Sequence, residues 1–189
     1  SAPGKGEFID LTGDISVNTT RNILMDGAIT PGAQPTDDPD PSRGGAFGAS
    51  VAQIGHGGLD QDLSDHAVIR GMIAVDVGGG ITANGGNTED TFVLIGHGGR
   101  SNNNTTISDP SNYRPLGHLG GEISVRARTG DITFTAGEGI KAFAQIGNGG
   151  YTVRPGNQDA TINTDVTVIA DTGAIKFQAG LATQDGGNQ

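Results

Sequence analysis

A chain of 189 residues is long enough for one domain or one block of stacked repeats. Its net charge of −10, with only 11 basic residues, argues against a nucleic-acid or anionic-membrane surface. The absence of cysteine excludes disulfides and thiol chemistry, and no apolar run approaches the roughly 20 residues of a membrane helix. The 34 glycines are more than twice the usual share of about 7 %, without the Gly-X-Y period of collagen. They punctuate short Val/Ile/Phe segments as turns punctuate strands. Tryptophan is absent and aromatics make up 4 %, which is thin for a conventional globular core but sufficient for ladders of Val, Ile and Ala.

In chain order, residues 7–11 alternate apolar and polar around Phe8, Ile9 and Leu11 and read as a short strand. Ile15-x-Val17 and Ile23-x-Met25 follow. An acidic, proline-rich segment (Thr36-Asp37-Asp38-Pro39-Asp40-Pro41) intervenes before Val51-Ala52-Gln53 runs into Ile54-Gly-His56-Gly-Gly58. The same order then recurs. Ile73-x-Val75-x-Val77 and Ile81-x-Ala83 lead to Phe92-Val93-Leu94 and Ile95-Gly-His97-Gly-Gly99. Ile123-x-Val125-x-Ala127 and Ile132-x-Phe134-x-Ala136 lead to Phe143-Ala144-Gln145 and Ile146-Gly-Asn148-Gly-Gly150. Val166-x-Val168-x-Ala170 and Ile175-x-Phe177-x-Ala179 begin a fourth round that lacks its third segment. Strict alternation over four to six residues marks a half-buried strand.

The spacing carries the topology. First and second segments start 8, 8, 9 and 9 residues apart (15 to 23, 73 to 81, 123 to 132, 166 to 175). From second segment to motif the distance is 14 residues in both clean repeats (81 to 95, 132 to 146), and an insertion stretches the first to 31 (23 to 54). Short strands in constant order, joined by tight corners, wind as a coil in which each strand stacks in parallel on its counterpart one turn away. The expectation is an all-β parallel β-helix, one domain over residues 1–189, with three short strands per coil and about four coils. Loop insertions at about 28–50, 59–71, 100–120 and 151–165 interrupt it, the last three leaving one corner. An up-and-down sandwich is the alternative, and it leaves the constant offsets unexplained.

An uncapped solenoid exposes unpaired strand edges that normally must be covered. Three readings stay open: a piece of a longer β-helix, head-to-tail stacking, or a monomer with edges shielded by loops. In the second, residues 1–12 act as an exchanged or completing edge strand. Phe8, Ile9 and Leu11 then stand in for the missing third strand of the next subunit.

Several motifs invite chemistry. Stacking brings His56, His97 and Asn148 into one ladder in which two imidazoles could reach a metal. Asn is a poor transition-metal ligand, whereas His and Asn before Gly suit a tight corner with a hydrogen-bonded polar ladder. Asp14 and Asp131, each between Gly and a strand, read as turn residues whose carboxylates bond nearby backbone. General acid–base chemistry needs two converging carboxylates, which this spacing does not arrange. Asp37, Asp38 and Asp40 offer oxygen ligands for a weak calcium site without the pattern of an EF-hand loop. No other cofactor is implied. Loops leaving one edge of a solenoid form a shared surface, where Tyr113, Arg114, Tyr151 and Arg154 are the residues best able to make contacts. The same loops could instead cover the third strand, since Phe92-Val93-Leu94-Ile95 is apolar on both faces.

Gly130-Asp-Ile-Thr-Phe-Thr-Ala-Gly-Glu-Gly-Ile140, together with Ala-Gln-Ile-Gly-His/Asn-Gly-Gly, resembles the repeats of filamentous-haemagglutinin-like large bacterial surface proteins. The resemblance implies a right-handed parallel β-helix on or outside a bacterial cell, serving adhesion, matrix or fibre formation. The expected function is therefore a structural or adhesive extracellular protein and not an enzyme. It would be a self-stacking fibre subunit or adhesin segment forming a head-to-tail homo-oligomer or filament. A glycan or cell-surface ligand is a further possible partner; nucleic acid and membrane insertion are not expected. The alternatives are a polysaccharide-binding or depolymerising β-helix and a calcium-dependent adhesion module.

Overall fold

The computed structural model describes residues 10–27, 51–59, 68–86, 91–100, 118–138, 142–150 and 161–180. Among these residues every regular element is a β-strand, and every strand pair is parallel. The strands fall into tiers of repeated order. The first holds β1 (Asp10–Thr12), β2 (Ile15–Thr19), β3 (Ile23–Asp26), β4 (Val51–Ile54) and β5 (Gly57–Leu59). The second holds β6 (Val68–Arg70), β7 (Ile73–Val77), β8 (Ile81–Asn84), β9 (Phe92–Ile95) and β10 (Gly98–Arg100). The third holds β11 (His118–Gly120), β12 (Ile123–Ala127), β13 (Ile132–Thr135) and β14 (Phe143–Ile146). The fourth holds β15 (Thr161–Asn163), β16 (Val166–Ala170) and β17 (Ile175–Gln178).

Each strand pairs with its counterpart in the adjoining tier, giving the sheets β1-β6-β11-β15, β2-β7-β12-β16, β3-β8-β13-β17, β4-β9-β14 and β5-β10. The register is that of the sequence repeats: Ile15, Ile73, Ile123 and Val166 stack, as do Ile23, Ile81, Ile132 and Ile175. All-parallel stacking of this kind defines a β-solenoid or parallel β-helix.

The three segments anticipated per coil are the sheets built on β2, β3 and β4. Pairing adds two further strand positions that alternation does not reveal. One is at the end of each insertion: residues 68–70, 118–120 and 161–163, expected within loops, are strands β6, β11 and β15. Leu11 belongs to this set. It is opposite Ile69 and so occupies the slot before β2, not the third-strand slot expected of it. The other addition is the Gly-Gly end of the motif with the residue that follows it, in β5 and β10. Strands of three residues present only one or two inward side chains, too few to show a readable period.

The core is a set of ladders. Ile73, Val75, Val77, Ile81, Ala83, Val93 and Ile95 of the second tier pack with Ile123, Val125, Ala127, Ile132 and Phe134 of the third. Their alternating partners face outward, as the burial of β7 and β12 shows. β9 is the exception expected from its composition: all four residues are buried, and Phe92 stacks flat on Phe143 with centroids 4.6 Å apart.

Candidate functional site: the histidine corner

β4, β9 and β14 each run into a Gly-His/Asn-Gly corner, and stacking of those strands brings His56, His97 and Asn148 into a column. The glycines permit it. Gly57, Gly98 and Gly149 have φ of 128°, 114° and 119°, a region side chains rarely adopt. They also lie so close that a Cβ on Gly57 would sit 1.8 Å from the Gly98 carbonyl oxygen.

The imidazoles of His56 and His97 stack with centroids 5.1 Å apart and 5° between planes. His56 Nε2 donates to the Gly13 carbonyl at 3.0 Å, and His97 Nε2 donates to the Gly71 carbonyl at 3.0 Å. The backbone N–H of His56 donates to His97 Nδ1 at 3.2 Å. Since that nitrogen accepts, the His97 proton is on Nε2, and both ring nitrogens have partners. Asn148 repeats the device: its Oδ1 accepts the His97 N–H at 2.8 Å, and its Nδ2 donates to Thr164 Oγ1. His97 and Asn148 each accept a backbone N–H from the tier below, and all three corner side chains tie the corner to the turn that follows β1, β6 or β15. His97 is fully buried, and that burial holds its imidazole below the ordinary value, favouring the neutral ring.

His97 has no lone pair left for a metal, so the polar-ladder reading of the motif accounts for the geometry. Among the described residues no group of three or more His, Cys, Asp or Glu converges as a metal site. Gln53 adds to the corner: its Nε2 donates to the carbonyls of Gly96 and Gly98 at 3.0 and 3.1 Å. Gln145 makes the corresponding contacts to Gly147 and Asn148 within its own corner. Gln at this position in two repeats was a visible signal, and nothing but the stacked geometry says what it bonds.

The Gly-flanked acids also act between tiers. Asp14 Oδ1 accepts the N–H of Met72, Asn22 Oδ1 that of Gly80, and Asp131 Oδ1 that of Ala174, at 2.8 to 2.9 Å. The backbone they bond is one tier away, not local. The Ala174 N–H and the Lys176 ammonium hold Asp131 below the usual carboxylate range. On the outer face Arg128 pairs with Asp76 and Arg126 pairs bidentately with Asp171. The Arg128 hydrogen bonds depress the Asp76 carboxyl.

The other sequence-derived candidates are placed less fully. Asp37, Asp38 and Asp40, Tyr113, Arg114, Tyr151 and Arg154, and Phe8 and Ile9 lie outside the described residues. Leu11 is in β1 at one end of its sheet. No protein-family model, curated protein or solved structure matches the chain.

Proposed function

We propose that this chain is a structural or adhesive β-helix of an extracellular bacterial surface or fibre protein, a non-enzymatic rod that extends by self-stacking. One observation carries the reading: parallel, in-register ladders run through every sheet, and among the described residues the strands of the first and last tiers pair on one side only. The versatile side chains support it, since the buried His, the Gln and the Gly-flanked acids all bond backbone of an adjoining tier or corner. The coil is right-handed with about four turns, in keeping with the resemblance of its repeats. The loop insertions on one corner, with Tyr113, Arg114, Tyr151 and Arg154, form the edge for a glycan or cell-surface ligand. Asp37, Asp38 and Asp40 form a weak calcium site.

Electron microscopy of the purified chain in neutral buffer, with and without chelator, tests this. Filaments with a subunit rise of about 19 Å, four tiers at about 4.8 Å each, are expected. Isolated short particles at all concentrations would defeat the self-stacking reading. Loss of the filaments in chelator would assign calcium to the joints.

A further inference from the structure

The two ends of the stack differ in chemistry and match in form. Through β6–β8 and β11–β13 of the middle tiers the inward ladder residues are 0–2 % exposed. The same positions in the last tier lie open: Ile162 is 47 % exposed, Val166 43 %, Ile175 44 % and Phe177 60 %. These residues stand in register on Leu119, Ile123, Ile132 and Phe134, and the Phe177 ring lies 5.8 Å from that of Phe134. Their upper surface is what a further tier would cover.

The backbone follows the same rule. At the start of each long strand, the N–H of one tier donates to the carbonyl preceding the counterpart strand in the next. Ile15 donates to Met72, Ile73 to Glu122 and Ile123 to Asp165, at 2.8 to 2.9 Å. Ile23 donates to Gly80, Ile81 to Asp131 and Ile132 to Ala174, at 2.9 to 3.0 Å. Continued by one step, the Val166 and Ile175 N–H groups point out of one end, and the Asp14 and Asn22 carbonyls point out of the other.

Resting on the self-stacking reading, we propose that the last tier of one molecule takes the first tier of a second copy, parallel and in the register the chain uses internally. Val166 then meets Ile15, Val168 meets Val17 and Ile175 meets Ile23, half-buried residues of the first tier, while Phe177 comes to the position over Met25, which is 6 % exposed within its own chain. The Val166 and Ile175 N–H groups donate to the second copy's Asp14 and Asn22 carbonyls. The strands match in length: three residues in β15 and β1, five in β16 and β2, four in β17 and β3. The corners differ by one residue, residues 171–174 against 20–22. The stack already tolerates that step internally, where residues 78–80 meet 128–131. On the outer face Thr167 lies over Ser16, Ile169 over Asn18, Lys176 over Leu24 and Gln178 over Asp26, and none of these four pairs opposes like charges. Asp165 over Asp14 does oppose two carboxylates, as Glu122 and Asp165 already do in successive tiers of the chain. Arg21, exposed at its corner, comes beside the Asp171 carboxylate.

The chain lacks cysteine, so single cysteines report the register directly. Ser16→Cys and Thr167→Cys are placed on separate chains, mixed and oxidised, and the products are separated by mass. Stacked strands are about 4.8 Å apart, within the Cα span of a disulfide. The 16–167 heterodimer is expected at least fivefold above either homodimer. Asn18→Cys mixed with Thr167→Cys, two residues out of register, is expected to give no excess. Phe177→Asp, at an exposed position, should weaken association at least tenfold by sedimentation, while Thr82→Asp, on the outer face of the second tier and away from both ends, leaves it unchanged. Association without the 16–167 excess, or unaffected by Phe177→Asp, overturns the proposed junction and leaves the self-stacking reading standing. A wild-type chain that stays monomeric at every concentration overturns both.

Discussion

His97 shows how a residue usually scanned for catalysis becomes a structural tie. Its ring fills a fully buried position, accepts one backbone N–H and donates to one carbonyl. Replacing it by Ala orphans both backbone groups and leaves a hole, for an expected loss of about 2–4 kcal/mol in denaturant unfolding. His97→Asn, which the third repeat already uses, should cost about 1 kcal/mol or less, since Asn148 accepts the same kind of N–H. The pair also separates in pH. Burial lowers the His97 pKa in the folded state, so the unfolded chain binds more protons as pH falls past the ordinary value of 6.5. The stability contribution is intact above that value, declines as pH falls through it, and levels off below the folded pKa. Melting curves between pH 8 and pH 5 should show a fall in wild type that is reduced in His97→Asn. Equal slopes in the two proteins would remove His97 as the cause.

At the scale of the strand, the same side chain has different worth at different heights in the stack. Phe134 in β13 is 1 % exposed and lies between Ala83 and Phe177. Phe177 in β17 has, among the described residues, a strand partner on one side only, Phe134, and is 60 % exposed. Phe134→Ala should therefore cost about 3–5 kcal/mol, as large-to-small core changes do. Phe177→Ala in dilute solution should cost about 1 kcal/mol or less. Urea titrations of both variants check this, and similar losses would mean the last tier is covered in solution. The alternation of β12 and β13 made Ile132 and Phe134 legible as interior residues. Their height in the stack was not written in that alternation, because Ile132-Thr-Phe134 and Ile175-Lys-Phe177 have one pattern.

For the whole molecule, order of assembly follows from where each strand ends its sheet. β1 lies at one edge of β1-β6-β11-β15 and covers Ile69 from one side. Removal of residues 1–12 is expected to leave a folded chain, since the ladders of the second and third tiers are untouched. It should abolish or sharply reduce self-association by removing the strand that meets β15. Sedimentation of the truncated chain checks this, and an unchanged oligomer would take β1 out of the junction. The net charge of −10 repels like copies, so added salt should strengthen self-association.

Composition, alternation and spacing alone were enough to specify short strands, a constant order and in-parallel stacking of equivalent positions. These properties are local or periodic, and a period of two with glycine corners is visible in one chain. They also marked His56, His97 and Asn148 as one ladder. The stacked structure alone decided the rest: the extra strands β5, β6, β10, β11 and β15, the slot that β1 fills, the tautomer of His97, and the bonding of Asp14 and Asp131 to backbone 58 and 43 residues away. The reason is physical. Three-residue strands have no period to read, and hydrogen bonds between tiers join residues whose nearness comes only from the winding of the chain.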